Sequence, residues 1–190
     1  MGFQFSSIVD LLNRIIHSSG YELKPVDPLC EGYDRYADLA VKENMDVNDY
    51  IEEKLGWGRT LPMLEKLVFP YIQEDSCVCE LGPGTGRQTR YVIPKLTRGT
   101  LHLFDHSPWM RNYLKKYLSE NTNLIIHGNN GRSIDLPENS VDLCFSLGMF
   151  VELKLGEFLL YAHEFQRILK KGAMLFSIIS ILIDQRVGIS

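Results

Sequence analysis

The stretch CELGPGTGR, from Cys79 to Arg87, sets glycines at 82, 84 and 86 directly behind an apolar run that begins at Ser76. Such a pattern suits a turn with unusual dihedrals, or a main chain that something must approach closely. The rest of the chain constrains the architecture further. The apolar runs SCVCEL, TLHLFD, NLIIHG, VDLCFSL and AMLFSIISILI alternate with segments of helical periodicity. Strands separated by helices imply right-handed crossovers and a parallel sheet. Helices cover both faces of such a sheet, so its strands are apolar almost throughout rather than alternating. The expected fold class is α/β: a doubly wound, mostly parallel sheet of about five strands behind an N-terminal helical arm.

Residues 1–75 read as that arm. In SSIVDLLNRIIHSSG, Ile8, Leu11, Leu12, Ile15 and Ile16 recur at helical spacing, with Ser6 or Ser7 to cap and Gly20 to end the helix. YELKPVDPLCEG reads as a loop and Tyr33–Lys42 as a short helix. Next comes DVNDYIEEKLGWG, with Asp46 as N-cap, Val47, Tyr50, Ile51 and Leu55 on one face, and Gly56 as the stop. TLPMLEKLVFPYI gives another helix, capped by Thr60, with Pro62 in its first turn and Pro70 ending it.

Residues 76–190 read as the sheet domain. A helix is expected through TGRQTRYVIPKL. Another lies in SPWMRNYLKKYLSE, where Ser107 caps, Pro108 takes the first helical position, and Met110, Tyr113, Leu114, Tyr117 and Leu118 share a face. A third is expected from about Leu155 to Leu169, ending in KKG, with cations at its negative end. The fifth strand is then Ala173 to Ile183.

Composition narrows the partners. The chain has 190 residues, 45% hydrophobic and 23% charged, ordinary for one globular domain. A net charge of −4 argues against a nucleic-acid surface. Cys30, Cys77, Cys79 and Cys144 read as small buried hydrophobes in a reducing compartment, and a single C-x-C offers no zinc site, so no metal is expected. No secretory leader is visible and MLFSIISILI is too short to span a bilayer, so a cytoplasmic location is expected. MGFQFS does match the short M-G-x-x-x-S acylation pattern at Gly2.

Ligands of open parallel sheets bind beyond the carboxyl ends of the strands, where the glycine loop must lie. The dinucleotide fingerprint is G-x-G-x-x-G, whereas here the spacing is G-x-G-x-G with Arg87 next. Glu80 stands two residues before the first glycine. A carboxylate there repels a pyrophosphate and welcomes a cation. No G-x-x-x-x-G-K-[ST] is present, which excludes a Walker-type phosphate loop.

On these residues the chain resembles the class I S-adenosylmethionine-dependent methyltransferases, whose fold is Rossmann-like. VCELGPGTGR is similar to the first motif of that family and LHLFDHSPWM to its second. LPENSVDLCFS and EFQRILKKGAMLFSI are similar to the segments around its fourth and fifth strands. The resemblance runs from Ser76 to Ile183. It implies an enzyme with S-adenosylmethionine as cofactor and S-adenosylhomocysteine as product. Glu80, Gly82, Gly84 and Gly86 would meet the methionine part, and Asp105 would accept from both ribose hydroxyls, as an acceptor-only carboxylate can. His106 and Met110 would pack near the adenine, and Asn129 or Asn130 with the Gly131 backbone would meet its edge. The family pattern has an acid near GNNG; an asparagine carbonyl would accept from the adenine amino group instead. Ser146 and Leu147 would lie near the transferring methyl.

No catalytic residue is named by the sequence; Glu152 and Tyr36 are candidates for substrate contact. His127 and His163 read as structural, and Tyr33, Tyr36 and Tyr50 as packing, unless the arm covers the cofactor as a lid. There is no D/N-P-P-Y after the fourth strand, which with the acidic balance favours a small-molecule acceptor over nucleic acid. The family sheet continues past the fifth strand as an antiparallel hairpin, which has no counterpart in this sequence. SIISILI would then be an apolar edge, so the expectation is a fragment of a longer protein, or an edge covered by a partner or a second copy. A cofactor-binding but inactive or regulatory domain is the alternative function; a nicotinamide-dependent oxidoreductase is a third.

Overall fold

The computed structural model describes residues 30–54, 60–151 and 153–177. The helix expected over 6–16, Gly20, Gly56 and the strand end beyond Ser177 lie outside them. Two helices of the arm, α1 (Cys30–Lys42) and α2 (Val47–Lys54), are followed by α3 (Leu61–Leu67) and a 3-10 turn, Phe69–Tyr71. Then strand and helix alternate: β1 (Cys77–Leu81), α4 (Thr89–Val92), β2 (Thr100–Asp105), α5 (Pro108–Tyr117), β3 (Leu124–Gly128), β4 (Val141–Ser146), α6 (Leu155–Ile168) and β5 (Leu169–Ser177).

The five strands form one sheet in the order β3-β2-β1-β4-β5, and every pairing is parallel. β1 therefore lies centrally, with Cys79 opposite both His102 and Cys144. The chain winds outward through β2 and β3, then crosses back to β4 on the other side of β1. That reversal opens a crevice at the carboxyl ends of β1 and β4. This is the Rossmann-like arrangement.

Successive side chains of a strand point to opposite faces, and both faces here are core. Val78, Leu101, Leu103, Leu143 and Phe145 join one buried cluster with Leu64, Val92 and Leu114. Cys79, Leu81, Phe104, Val141 and Cys144 join the other with Tyr161 and Phe165 of α6. The cysteines at 77, 79 and 144 are free thiols, the last two fully buried.

Two helix starts follow the caps expected of them. Ser107 Oγ accepts from Met110 N at 3.3 Å, and Asp46 Oδ1 accepts from Asn48 N at 2.8 Å and Asp49 N at 3.3 Å. Thr60 does not cap: its hydroxyl donates instead to the buried Glu52 carboxylate. The helix expected after the glycine loop is only Thr89–Val92, giving way to a 3-10 turn at Ile93–Lys95. Pro94 has no N–H to continue the ladder.

The KKG stretch is also corrected. α6 stops at Ile168, and Leu169–Ser177 is already strand, with Leu169 opposite Val141. Lys170 does not face a helix end but reaches Asp142 Oδ1 on the neighbouring strand at 2.7 Å. The pairing with β4 slips between Val141 and Leu143, and Gly172, at φ +83°, takes the bulge.

Candidate functional site

Three segments converge at the carboxyl end of the sheet. The first is the end of β1. Glu80 is 2% exposed, and Thr89 Oγ1 donates to its Oε2 at 2.7 Å. Burial pushes the Glu80 carboxyl up to about 8, against the Thr89 hydrogen bond; the nearby Asp105 charge adds to the rise. A buried carboxyl in that condition holds a proton or takes a cationic partner.

The glycine loop turns directly after it. Gly82, Gly84 and Gly86 all have positive φ, at +71°, +54° and +80°. Gly82 is the tightest: a Cβ there would stand 2.7 Å from Met149 Cβ. Its N–H donates to Phe104 O at 2.9 Å, tying the loop to β2. Arg90 N donates to Gly86 O at 3.0 Å, so the loop runs straight into α4.

The second segment is the end of β2. Asp105 is buried at 6% exposure, and its Oδ1 accepts from Ser107 N at 2.8 Å. Burial raises its pKa, opposed by the Ser107 N–H, the His106 ring, the Gly84 N–H and Arg111. The carboxylate thus faces the glycine loop at Gly84, and the Gly82 N–H on Phe104 O joins the first two segments. His106 itself points outward, its side chain 71% exposed, with Nδ1 3.9 Å from Asp105 Oδ1. Met110 is buried at the base of α5.

The third segment is the loop after β3, joined to β2 where Asn129 N donates to Asp105 O at 3.1 Å. Asn129 Oδ1 accepts from Gly131 N at 3.0 Å and from Tyr161 OH at 2.7 Å. Asn130 Oδ1 accepts from Arg132 N and Ser133 N at 2.8 and 2.9 Å. Each carbonyl oxygen has two lone pairs. Both asparagines already use theirs to build their own loop, so an adenine amino group would have to displace one of those donors.

Ser146 is fully buried at the end of β4, and its hydroxyl donates to Leu81 O at 2.8 Å, locking β4 to β1 beneath the loop. Leu147 comes next, as part of the core. Tyr36 packs in the arm against Ala40, Val47 and Ile51. Glu152 lies outside the described residues. Among the described residues no three of His, Cys, Asp and Glu gather to hold a metal ion. Nor is any described helix long and apolar enough to cross a membrane.

Four contacts escaped the sequence reading: Thr89 on Glu80, Tyr161 on Asn129, Met149 over Gly82, and Asn48 on Thr85. Each joins residues of different elements, so no local spacing announces it. Among the described residues a groove of about 400 Å³ also exists, lined by Tyr71, Ser76, Asp142, Lys170 and Gly172. It lies at the amino ends of β1, β4 and β5, away from the loop, where parallel sheets do not hold their ligands.

This geometry suits S-adenosylmethionine. The buried Glu80 carboxyl would welcome a cation, and the loop beside it carries three glycines at positive φ. A family described as methyltransferase domain matches residues 78–172. No curated protein matches the chain. Among solved structures, a SAM dependent methyltransferase from Aquifex aeolicus is 22% identical with a TM-score of 0.56, over 75% of this chain and 88% of that one. Coclaurine N-methyltransferase bound to N-methylheliamine and SAH is 19% identical with a TM-score of 0.53, over 62% of this chain. The [4+2]-cyclase SpnF is 17% identical with a TM-score of 0.55, over 64% of this chain. This chain spans 34% and 45% of the length of the last two. At these identities the likeness shows the fold.

Proposed function

The chain belongs to the methyltransferase domain family, of the class I S-adenosylmethionine-dependent kind, and on that premise we propose that it transfers a methyl group from S-adenosylmethionine to a small-molecule acceptor. The observation that carries the reading is the buried Glu80 carboxyl, its pKa raised, behind a loop of glycines tied to Asp105. Glu80 answers the charge of the methionine ammonium and sulfonium. Asp105 accepts from the ribose hydroxyls. The Gly131 backbone and the Asn129 loop would meet the adenine edge, and Met110 would pack near it. Ser146 and Leu147 would lie near the methyl.

When bound, the cofactor supplies a methyl carbon already activated by its sulfonium. The chain's own task is alignment and exclusion of water. A base is needed only if the acceptor must lose a proton, and Glu152 and Tyr36 are the candidates for contact with it. The helical arm, residues 1–75, serves as the cover of this site, and residues 76–190 as the cofactor-binding unit.

The test is ligand-linked stabilisation of the full chain, because only what the native state binds raises its melting temperature. S-adenosylhomocysteine at about 100 times its Kd should add about 2.7 kcal/mol, and NAD nothing. Asp105→Ala should abolish most of that shift. A shift with NAD alone, or an Asp105→Ala variant that responds like wild type, removes the reading.

One observation favours a second reading, cofactor binding without transfer. Both acceptor sites of Asn129 are occupied by its own surroundings. Binding with no turnover across a panel of amine, hydroxyl, thiol and carbon acceptors would decide for that reading.

A further inference from the structure

We propose that Asn48 is a positioning residue for the cofactor: from the helical arm it clamps the outer side of the glycine loop at Thr85. The inference rests on the proposed function, in which this loop receives S-adenosylmethionine. Asn48 lies well outside the residues 78–172 that match the family.

Asn48 is fully buried and Thr85 nearly so, at 0% and 3% exposure. Asn48 Nδ2 donates to Thr85 O at 3.1 Å, and Thr85 Oγ1 donates to Asn48 Oδ1 at 2.5 Å. One amide thus holds both the main chain and the side chain of a single loop residue. The Tyr117 side chain of α5 lies beside Asn48, which favours the charged form of its hydroxyl against burial. If burial were the only requirement at this position, an apolar residue would meet it without any need for pairing. Instead an amide that pairs through both its nitrogen and its oxygen is aimed at the residue flanked by Gly84 and Gly86, both at positive φ.

The consequence reaches the ligand side. Next to Thr85, the Gly84 N–H faces the Asp105 carboxylate and favours its charged form against burial. Fixing Thr85 therefore fixes the donor that orients the proposed ribose acceptor. A glycine-rich run left unheld samples many conformers, and apparent affinity falls with the fraction that is competent. The arm itself is held to the same region by Arg90, whose Nη1 lies 2.7 Å from Asp49 Oδ1 and 3.3 Å from Asp46 Oδ1.

The experiment measures the Kd of S-adenosylhomocysteine by calorimetry on the full chain, with folding followed by circular dichroism. Asn48→Ala should raise Kd about tenfold in a folded protein, the scale of one or two lost buried hydrogen bonds. Thr85→Val should raise it several-fold, and Thr85→Ser, which keeps the hydroxyl, should stay within about twofold of wild type. The double variant Asn48→Ala/Thr85→Val should bind no worse than Asn48→Ala, since both changes cut one link. Ile51→Val, in the arm's own core, should lower the melting temperature and leave Kd alone.

A folded Asn48→Ala chain with wild-type Kd overturns the proposal. So does an Ile51→Val chain that loses as much affinity as Thr85→Val, because the effect would then be general docking of the arm. Should Asn48→Ala fail to fold, equal binding by Thr85→Val and Thr85→Ser overturns it on its own. If wild type itself does not bind S-adenosylhomocysteine, the proposed function has failed and this inference with it.

Discussion

Glu80 shows how one residue carries opposed demands. Without a ligand, a carboxyl at 2% exposure is better neutral than charged. Its folded pKa is about 8 against an ordinary 4.5, so between those values the folded chain keeps a proton that the unfolded chain releases. Stability from this group is therefore full below about pH 4.5, falls as pH rises, and levels off above about 8. The loss is on the order of a few kcal/mol. Glu80→Gln removes it: the variant without ligand should melt higher than wild type at pH 8, with the gap closing toward pH 5. The same variant should bind S-adenosylhomocysteine more weakly, since the ammonium loses its counter-charge. A melting gap independent of pH would show that Glu80 does not titrate in this window. The acid itself was legible in the sequence, two residues before the glycines. Its partner Thr89 was not, because nothing in the spacing says that a helix would turn a hydroxyl back onto the strand.

At the scale of elements, the β2–β3 edge of the sheet holds a second titrating feature. His102 Nδ1 and His127 Nε2 are 2.9 Å apart across the two strands, and His127 stacks on Phe104 at 4.3 Å between ring centroids. Burial lowers His102 to about 4, helped by the charge of His127; burial also lowers His127, opposed by Asp135. The sign is the reverse of Glu80. As pH falls below 6.5 the unfolded chain takes up the proton first, so stability is lost on the way down to about 4. Half-burial tempers the size to about 1–2 kcal/mol. His102→Phe should flatten that acid limb in urea unfolding between pH 6.5 and 4. An unchanged slope would put the acid sensitivity elsewhere. The reading of His127 as structural agrees with its stacking. The KKG stretch is the instructive failure at this scale. Cations before a glycine resemble a helix end, yet pairing with β4 claimed them for a strand, because Asp142 offers Lys170 a partner and Gly172 absorbs the slip in register.

Across the whole molecule, the arm and the sheet are joined through Arg90. Its guanidinium faces Asp46, Asp49 and Glu52 of the arm, and Nη2 donates to Tyr91 OH at 2.9 Å. Burial works against the Arg90 charge, but the hydrogen bond to Asp49 and the surrounding negative groups hold its pKa above the usual value. Glu52 is buried at 7% exposure, so removing Arg90 would leave a carboxylate with less compensation. Asp49 is half exposed and contributes less. Arg90→Met should cost about 2 kcal/mol, roughly 4–8 °C in Tm for a chain of this size. A Tm within a degree of wild type would mean that the Asn48–Thr85 bonds and the apolar contacts hold the arm without Arg90.

The alternation of strand and helix, the parallel sheet, the glycine loop with its acid and the cap at Ser107 all came from the sequence by itself. They depend on local rules: hydrophobic period, the dihedral freedom of glycine, and side chains that bond their own neighbouring N–H groups. The tertiary structure alone decided which face of the loop the arm would grip, that Tyr161 would take the oxygen of Asn129, and that Ser146 would tie β4 to β1. Those contacts join residues up to 65 positions apart. A polar side chain has many partners available in the unfolded chain, and only packing selects the one it keeps.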